Sequence, residues 1–223
     1  MVFTIGSLRG MRAGAPGARR RVRGSICSLV AEYTGLHGWT VTPGARVRRD
    51  GACDCGDPCC AAPGAHPLGY APRIPAGTRR EEVAEAWGLT PDASVLLAAG
   101  RGFDVLDVAE QVGCRALVRL ERMGLRLGPV LATPDGRALF FVAPGAAAEL
   151  PRLLYRMGWD DAGLDLRCLG RGDHVTAPPS DLGALGPVRW LRPPSPDRQP
   201  PEARLLLGTL AYVCHRHGSL VRS

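Results

Sequence analysis

A chain of 223 residues with 45% hydrophobic and 22% charged content can bury one real core, and no apolar run in it approaches the roughly 20 residues of a membrane span. The basic N-terminus lacks an apolar stretch and a small-residue cleavage site, which argues against a secretory signal and for a cytoplasmic setting. Residues 1–50 hold nine arginines against Glu32 and Asp50, a balance of +7, whereas residues 51–223 hold 19 arginines and 19 acids, so the whole net charge sits in the first 50 residues. There is no lysine and no asparagine, a coding bias that weakens inference from arginine content alone.

Residues 1–21 combine glycine, proline and arginine without periodicity and read as a disordered basic arm. Arg19, Arg20, Arg21 and Arg23 suit either phosphate contacts to nucleic acid or a solvated tail. Val22, Ile26, Leu29, Val30 and Tyr33 have helical spacing, which Gly35 ends. Trp39–Val41 reads as a short strand before the Pro43-Gly44 turn, and an irregular cysteine-bearing excursion then runs to about Tyr70. Thr78-Arg79-Arg80-Glu81 has the form of a capping box opening a helix through Trp87. Ser94–Ala98 and Phe103–Val108 are apolar runs on either side of Gly100-Arg101-Gly102 and read as a hairpin or tight strand pair. A helix over Glu110–Met123 follows, then strands at Val130–Ala132 and Ala138–Val142 around the Pro134-Asp135-Gly136 turn. Ala146–Met157 reads as a helix that Pro151 kinks or restarts. Short strands are expected at Leu164–Arg167, His174–Ala177 and Val188–Leu191, a proline-rich linker over 193–201, and a last helix over 202–217. Trp87, Trp190, Phe140 and Phe141 are core candidates, and the scattered Cys27, Cys114, Cys168 and Cys214 read as small buried thiols. Helices alternating irregularly with turn-joined strands point to an α+β fold over residues 22–192, not to a doubly wound parallel sheet.

Cys53, Cys55, Cys60 and His66 fall within fourteen residues, with Cys59 beside Cys60 as a spare. Thiolate and imidazole are the usual ligands of a tetrahedral structural zinc, and the intervening glycines and prolines suit a chain that must turn back on one ion. The alternative is a loop of unligated thiols. Clustered cysteines in a cytosolic chain favour the metal.

The order Cys-x-Cys-x4-Cys-x5-His-Pro, with Pro63-Gly64 just before the histidine, resembles the start of the bifunctional DNA primase/polymerase (prim-pol) domain of the archaeo-eukaryotic primase superfamily. Ala65 stands where that family commonly has lysine. Further stretches resemble the same family in the same order over roughly residues 26–192. Val105-Leu106-Asp107-Val108 is similar to the strand bearing the catalytic Asp-x-Asp. Gly136-Arg137-Ala138-Leu139-Phe140-Phe141 is similar to the strand bearing a histidine, and Asp165-Leu166-Arg167 to the third acidic strand. Gly170-Arg171-Gly172-Asp173-His174 leading to Pro178-Pro179-Ser180 is similar to the turn that follows.

The resemblance implies a mixed sheet flanked by helices, a zinc loop at residues 53–66, and nucleotidyl transfer by two magnesium or manganese ions held on carboxylates. Asp107 then matches the first acid, Ala109 the second and Asp165 the third, while Ala138 takes the histidine's place with Arg137 the nearest cation. Asp104 and Glu110 are no substitutes, because each lies three residues from Asp107 and a strand alternates its faces with period two. Asp107 is thus either a remnant metal ligand or a strand-end residue capping the next helix, and Asp165 either a ligand or a plain strand residue. His174 either faces the cleft as a nucleotide contact beside Arg137 or is structural. The expectation is a prim-pol-like domain with weakened or lost catalysis that still meets nucleotides, single-stranded DNA or primer-template. Two alternatives stand: an active primase/polymerase with a rearranged metal site, and a non-catalytic adaptor with a replication or regulatory protein partner. The neutral balance of residues 51–223 suits the adaptor, since a template groove is usually basic.

Overall fold

A computed structural model describes residues 16–221 except 49 and 161. Residues 1–15 of the expected arm, and the side chains of Arg19, Arg20, Arg21 and Arg23, lie outside the described residues. Residues 16–21 form the first turns of α1 (Pro16–Gly35), which thus opens six residues before Val22. Proline is tolerated there because the first N–H groups of a helix have no intrahelical partner.

After α1 come β1 (Val41–Gly44), α2 (Arg80–Gly88), β2 (Ser94–Ala98), β3 (Asp104–Ala109) and α3 (Glu110–Arg122). The second half holds β4 (Val130–Thr133), β5 (Arg137–Val142), α4 (Ala146–Arg156), β6 (Leu166–Leu169), β7 (His174–Ala177), β8 (Arg189–Arg192) and α5 (Ala203–Val221). The α+β class holds, and the sheet resolves into two, of orders β1-β2-β7 and β6-β3-β5-β4-β8, both antiparallel throughout. No described helix is long and apolar enough to cross a membrane.

Local signals and long-range pairing differ at several points. β2 and β3 do not form a hairpin: the turn at Gly100–Gly102 carries the chain from one sheet into the other. Both strands are buried on both faces, so periodicity cannot say which strand pairs with which. The β4–β5 hairpin forms as expected, closed by the Gly136 N–H donating to the Thr133 carbonyl at 3.0 Å with Gly136 at φ 82°. The capping box does not form. Thr78 donates instead to the Pro75 carbonyl at 2.7 Å, and the N-cap of α2 is Arg79, which pairs with Glu82. Pro151 lies inside α4 without ending it. Of the scattered thiols, Cys214 is buried but Cys114 is exposed on α3.

Two apolar cores follow from strand alternation. Val41, Leu97 and Val175 of the three-stranded sheet meet Phe103, Val105, Leu139 and Phe141 of the other, with Trp39 and Trp87 among them. The rings of Phe103 and Phe141 stack at 4.4 Å, and Trp39 meets Phe103 edge-on at 5.3 Å. The opposite face of the five-stranded sheet, carrying Leu106, Val108, Ala138 and Phe140, packs under α3 and α5. Trp87, Phe140 and Phe141 are fully buried as expected, and Trp190 is partly buried against the first core.

Two residues on that helix-covered face position the rest. Asp104 is buried and its Oδ2 accepts from the Ala147 backbone N–H at 2.9 Å, serving the first turn of α4, where Gly145 has no capping side chain. Ala138 lies beside Val108 and directly beneath Gly113 of α3; a Cβ added to Gly113 would come 2.3 Å from the Ala138 Cβ. A small residue at 138 is therefore a packing requirement of α3. Ala138→His is expected to lower stability by about 1–3 kcal/mol through overpacking. Urea unfolding measures this, and an unchanged midpoint would refute the placement of residue 138 under the helix.

Candidate functional site

β3 presents Val105, Asp107 and Ala109 on the face toward the three-stranded sheet. Its register sets Asp107 opposite Leu139 of β5 and Arg167 of β6, and Ala109 opposite Arg137. Asp107 is buried, with a side chain only 1% exposed. Such a carboxylate must be paired or lose its charge. Arg137 donates from Nε to Asp107 Oδ1 at 2.7 Å, and Arg167 donates from Nε to Oδ2 at 2.5 Å. Arg137 then reaches Asp165, just ahead of β6, with Nη1 on Oδ2 at 2.7 Å and Nη2 on Oδ1 at 3.0 Å. One planar guanidinium thus bridges the two acids, forked on one and single on the other, a geometry that arginine offers and lysine does not.

The electrostatics are self-contained. Two carboxylates face two guanidinium groups, and all four carboxylate oxygens already accept a hydrogen bond. Hydrogen bonding to Asp165 raises the Arg137 pKa above its ordinary value despite burial, with Asp107 adding to the effect. The same bonds to Arg137 hold the Asp165 carboxyl below its usual range. A divalent cation needs carboxylate oxygens arranged around it, and here Arg137 lies between them. The residues of this centre, with Ala109 adding no ligand on the same face, do not fit a two-metal site.

The capping role considered for Asp107 fails: the N-cap of α3 is Ala109, with no side-chain cap. Asp104 lies on the opposite face, as its spacing required, and Glu110 is paired with Arg189. Ala138 also points away from Asp107, into the helix-covered core, so it does not occupy a cleft position. Arg137 and His174 are not brought together. His174 lies across from Ala98 in the other sheet and lines a separate cavity with Arg73, Arg101 and Arg171. Sequence reasoning missed Arg167 as a partner of Asp107. The available signal was its two-residue spacing from Asp165, which puts both on one side of a strand.

The cysteine loop is pinned to β1 by a bridge between Gly44 and Pro67, and a second bridge between Val47 and Cys53 closes the loop on itself. Gly64 turns at φ 73°, tight against Val47, and sends His66 back toward the cysteines. One ligand atom from each of Cys53, Cys55, Cys60 and His66 lies within 4.8 Å of all the others. Tetrahedral zinc would draw such atoms to edges of about 3.3–3.8 Å, and Cys53 Sγ to His66 Nε2 is already 3.3 Å. His66 Nδ1 lies 3.1 Å from the Pro67 carbonyl; donating there leaves the Nε2 lone pair toward the thiols. Burial opposes ionisation of Cys53, but the Cys55 and Gly64 backbone N–H groups, with the His66 and Cys55 side chains, outweigh it and bring the thiol down to about 6. This donor set fits zinc. Cys59 is exposed and outside it, its N–H bonded to Asp57.

Purified protein is expected to carry one zinc per chain by elemental analysis. Cys53→Ser or Cys60→Ser should lose the ion and lower the melting temperature, whereas Cys59→Ser should keep both. Full zinc content in Cys60→Ser would overturn the ligand set.

Comparison with curated proteins and with solved structures returned no match. The profile of the family described as bifunctional DNA primase/polymerase, N-terminal, matches residues 30–204. That span takes in the cysteine–histidine loop, both sheets and the Asp107–Arg137–Asp165 network. The chain therefore belongs to the bifunctional DNA primase/polymerase family.

Proposed function

We propose that this prim-pol-family domain has exchanged its divalent-metal centre for an arginine–carboxylate network and binds nucleotide or nucleic acid without template-directed nucleotidyl transfer. The observation that carries this reading is Arg137, whose guanidinium bridges Asp107 and Asp165. Nucleotidyl transfer needs ions that activate the 3′-hydroxyl and stabilise the leaving phosphate, and a cation would have to displace Arg137 from a buried partner to reach them. Ala109 supplies no third ligand, and the nearby acids Asp104 and Glu110 serve a helix terminus and Arg189. The alternative of a rearranged but active metal site built on Asp107, Asp165, Asp104 or Glu110 would have to draw on a carboxylate that is already engaged. The zinc loop acts as a structural clamp on the three-stranded sheet, and a reducing, cytoplasmic setting suits its free thiols.

The adaptor reading keeps one argument of its own, the balance of 19 arginines and 19 acids over residues 51–223. It parts from the leading reading on binding: an adaptor should not retain single-stranded DNA, primer-template or nucleotide at low salt.

Wild type is expected to show no primer extension with magnesium or manganese. Arg137→Ser combined with Ala109→Asp should raise manganese affinity at least about tenfold, the order expected when a charge-assisted competitor is removed, as followed by electron paramagnetic resonance of the free ion. Robust synthesis by wild type would sink the proposal, as would unchanged manganese binding in the double variant.

A further inference from the structure

The sequence contains two Gly-Arg-Gly turns, Gly100-Arg101-Gly102 and Gly170-Arg171-Gly172, that neither the Asp107 centre nor the zinc loop uses. The fold presses them together. Gly100 adopts φ 94°, and a Cβ there would lie 2.3 Å from Arg171 Cα and 2.6 Å from its N, a backbone contact that no side chain permits. The strands that enter and leave these turns are joined as well: Ala98 pairs with His174, and the Ala99 N–H donates to the Asp173 carbonyl at 3.0 Å.

The paired turns wall a cavity of about 490 Å³, which Arg73 and Thr40 also line. Thr40, Ala98 and His174 alternate with Val41, Leu97 and Val175, which enter the core between the sheets. The cavity therefore opens on the outer face of the three-stranded sheet. Along β3 and its approach, Asp107 is five residues beyond Gly102, roughly 16 Å at the rise of a strand, and none of its network lines the cavity.

Arg73, Arg101 and Arg171 are exposed, and none has a carboxylate partner among the described residues, where eight other arginines each hold one. The lining's one acid, Asp173, turns its Oδ2 to the Gly170 N–H at 2.8 Å. His174 keeps a buried Nε2 without a partner. Three exposed arginines that line one cavity with a single, already engaged carboxylate give it a positive potential that attracts an anion. Phosphate matches the guanidinium fork, and glycines let such a group approach the backbone closely. Single-stranded nucleic acid is usually held along a basic groove with aromatic platforms for its bases. Here the cations converge on one cavity whose lining has no Phe, Tyr or Trp.

We propose that the joined Gly-Arg-Gly turns bind a compact oligophosphate, either the triphosphate chain of a nucleotide or inorganic tripolyphosphate. This goes beyond the loss of catalysis proposed above and does not depend on it, so a wild type that extended primers would overturn that reading and leave this one standing.

The test is calorimetric titration of the full chain with tripolyphosphate and with dATP in low salt. At least one of the two should bind, and its affinity should fall about tenfold or more in Arg101→Gln/Arg171→Gln. The charge-matched control Arg152→Gln/Arg156→Gln, on exposed positions of α4, should bind as wild type does. Binding of dATP alone through these arginines assigns the nucleotide as the source, and equal binding of both assigns the phosphate chain. The proposal is overturned if neither anion binds, if the two double variants lose affinity equally, or if an oligothymidylate uses these arginines and neither anion does.

Discussion

A carboxylate buried on the central strands of a sheet has to be neutralised, and Asp107 is neutralised from both neighbouring strands at once. Arg137 comes from β5 and Arg167 from β6. Removing one partner of a buried pair leaves an uncompensated charge at a cost of about 3–5 kcal/mol. The network therefore ties together the register of three strands as well as two acids. Asp165, mostly exposed, contributes less by itself. Its part is to hold the far side of the Arg137 guanidinium.

The other face of the same sheet sets a second constraint. α3 lies so close to β5 that Gly113 and Ala138 meet with no room for a larger side chain. Close helix–sheet packing of this kind leaves no slack for extra volume. The alanine that looks like an erased histidine in the sequence is a contact residue in the structure. Ala109, by contrast, does share a face with Asp107, and Arg137 occupies the two acids.

The cysteine–histidine loop and the Gly-Arg-Gly cavity belong to the smaller sheet. The loop is bridged to β1, and the cavity sits where β2 ends and β7 begins. The two sheets share one aromatic and aliphatic core, so the loop, the cavity and the Asp107 network are parts of one packed unit. The features that could touch a ligand lie at the ends of strands, where the backbone turns and charged side chains can leave the core.

Much of this was legible in the chain itself. The grouping of Cys53, Cys55, Cys60 and His66, the α+β pattern, the β4–β5 hairpin and the absence of an acid at position 109 all rest on spacing within a few residues. Local geometry fixes which side chains share a turn or a strand face, whatever happens elsewhere. Only the tertiary structure decided that β2 and β3 part into different sheets, that Ala138 faces a helix, that Arg137 and Arg167 converge on Asp107, and that two glycine–arginine turns seventy residues apart lie back to back. Each of these depends on which strand pairs with which. Strands buried on both faces accept many partners, so sequence period could not make that choice; long-range packing did.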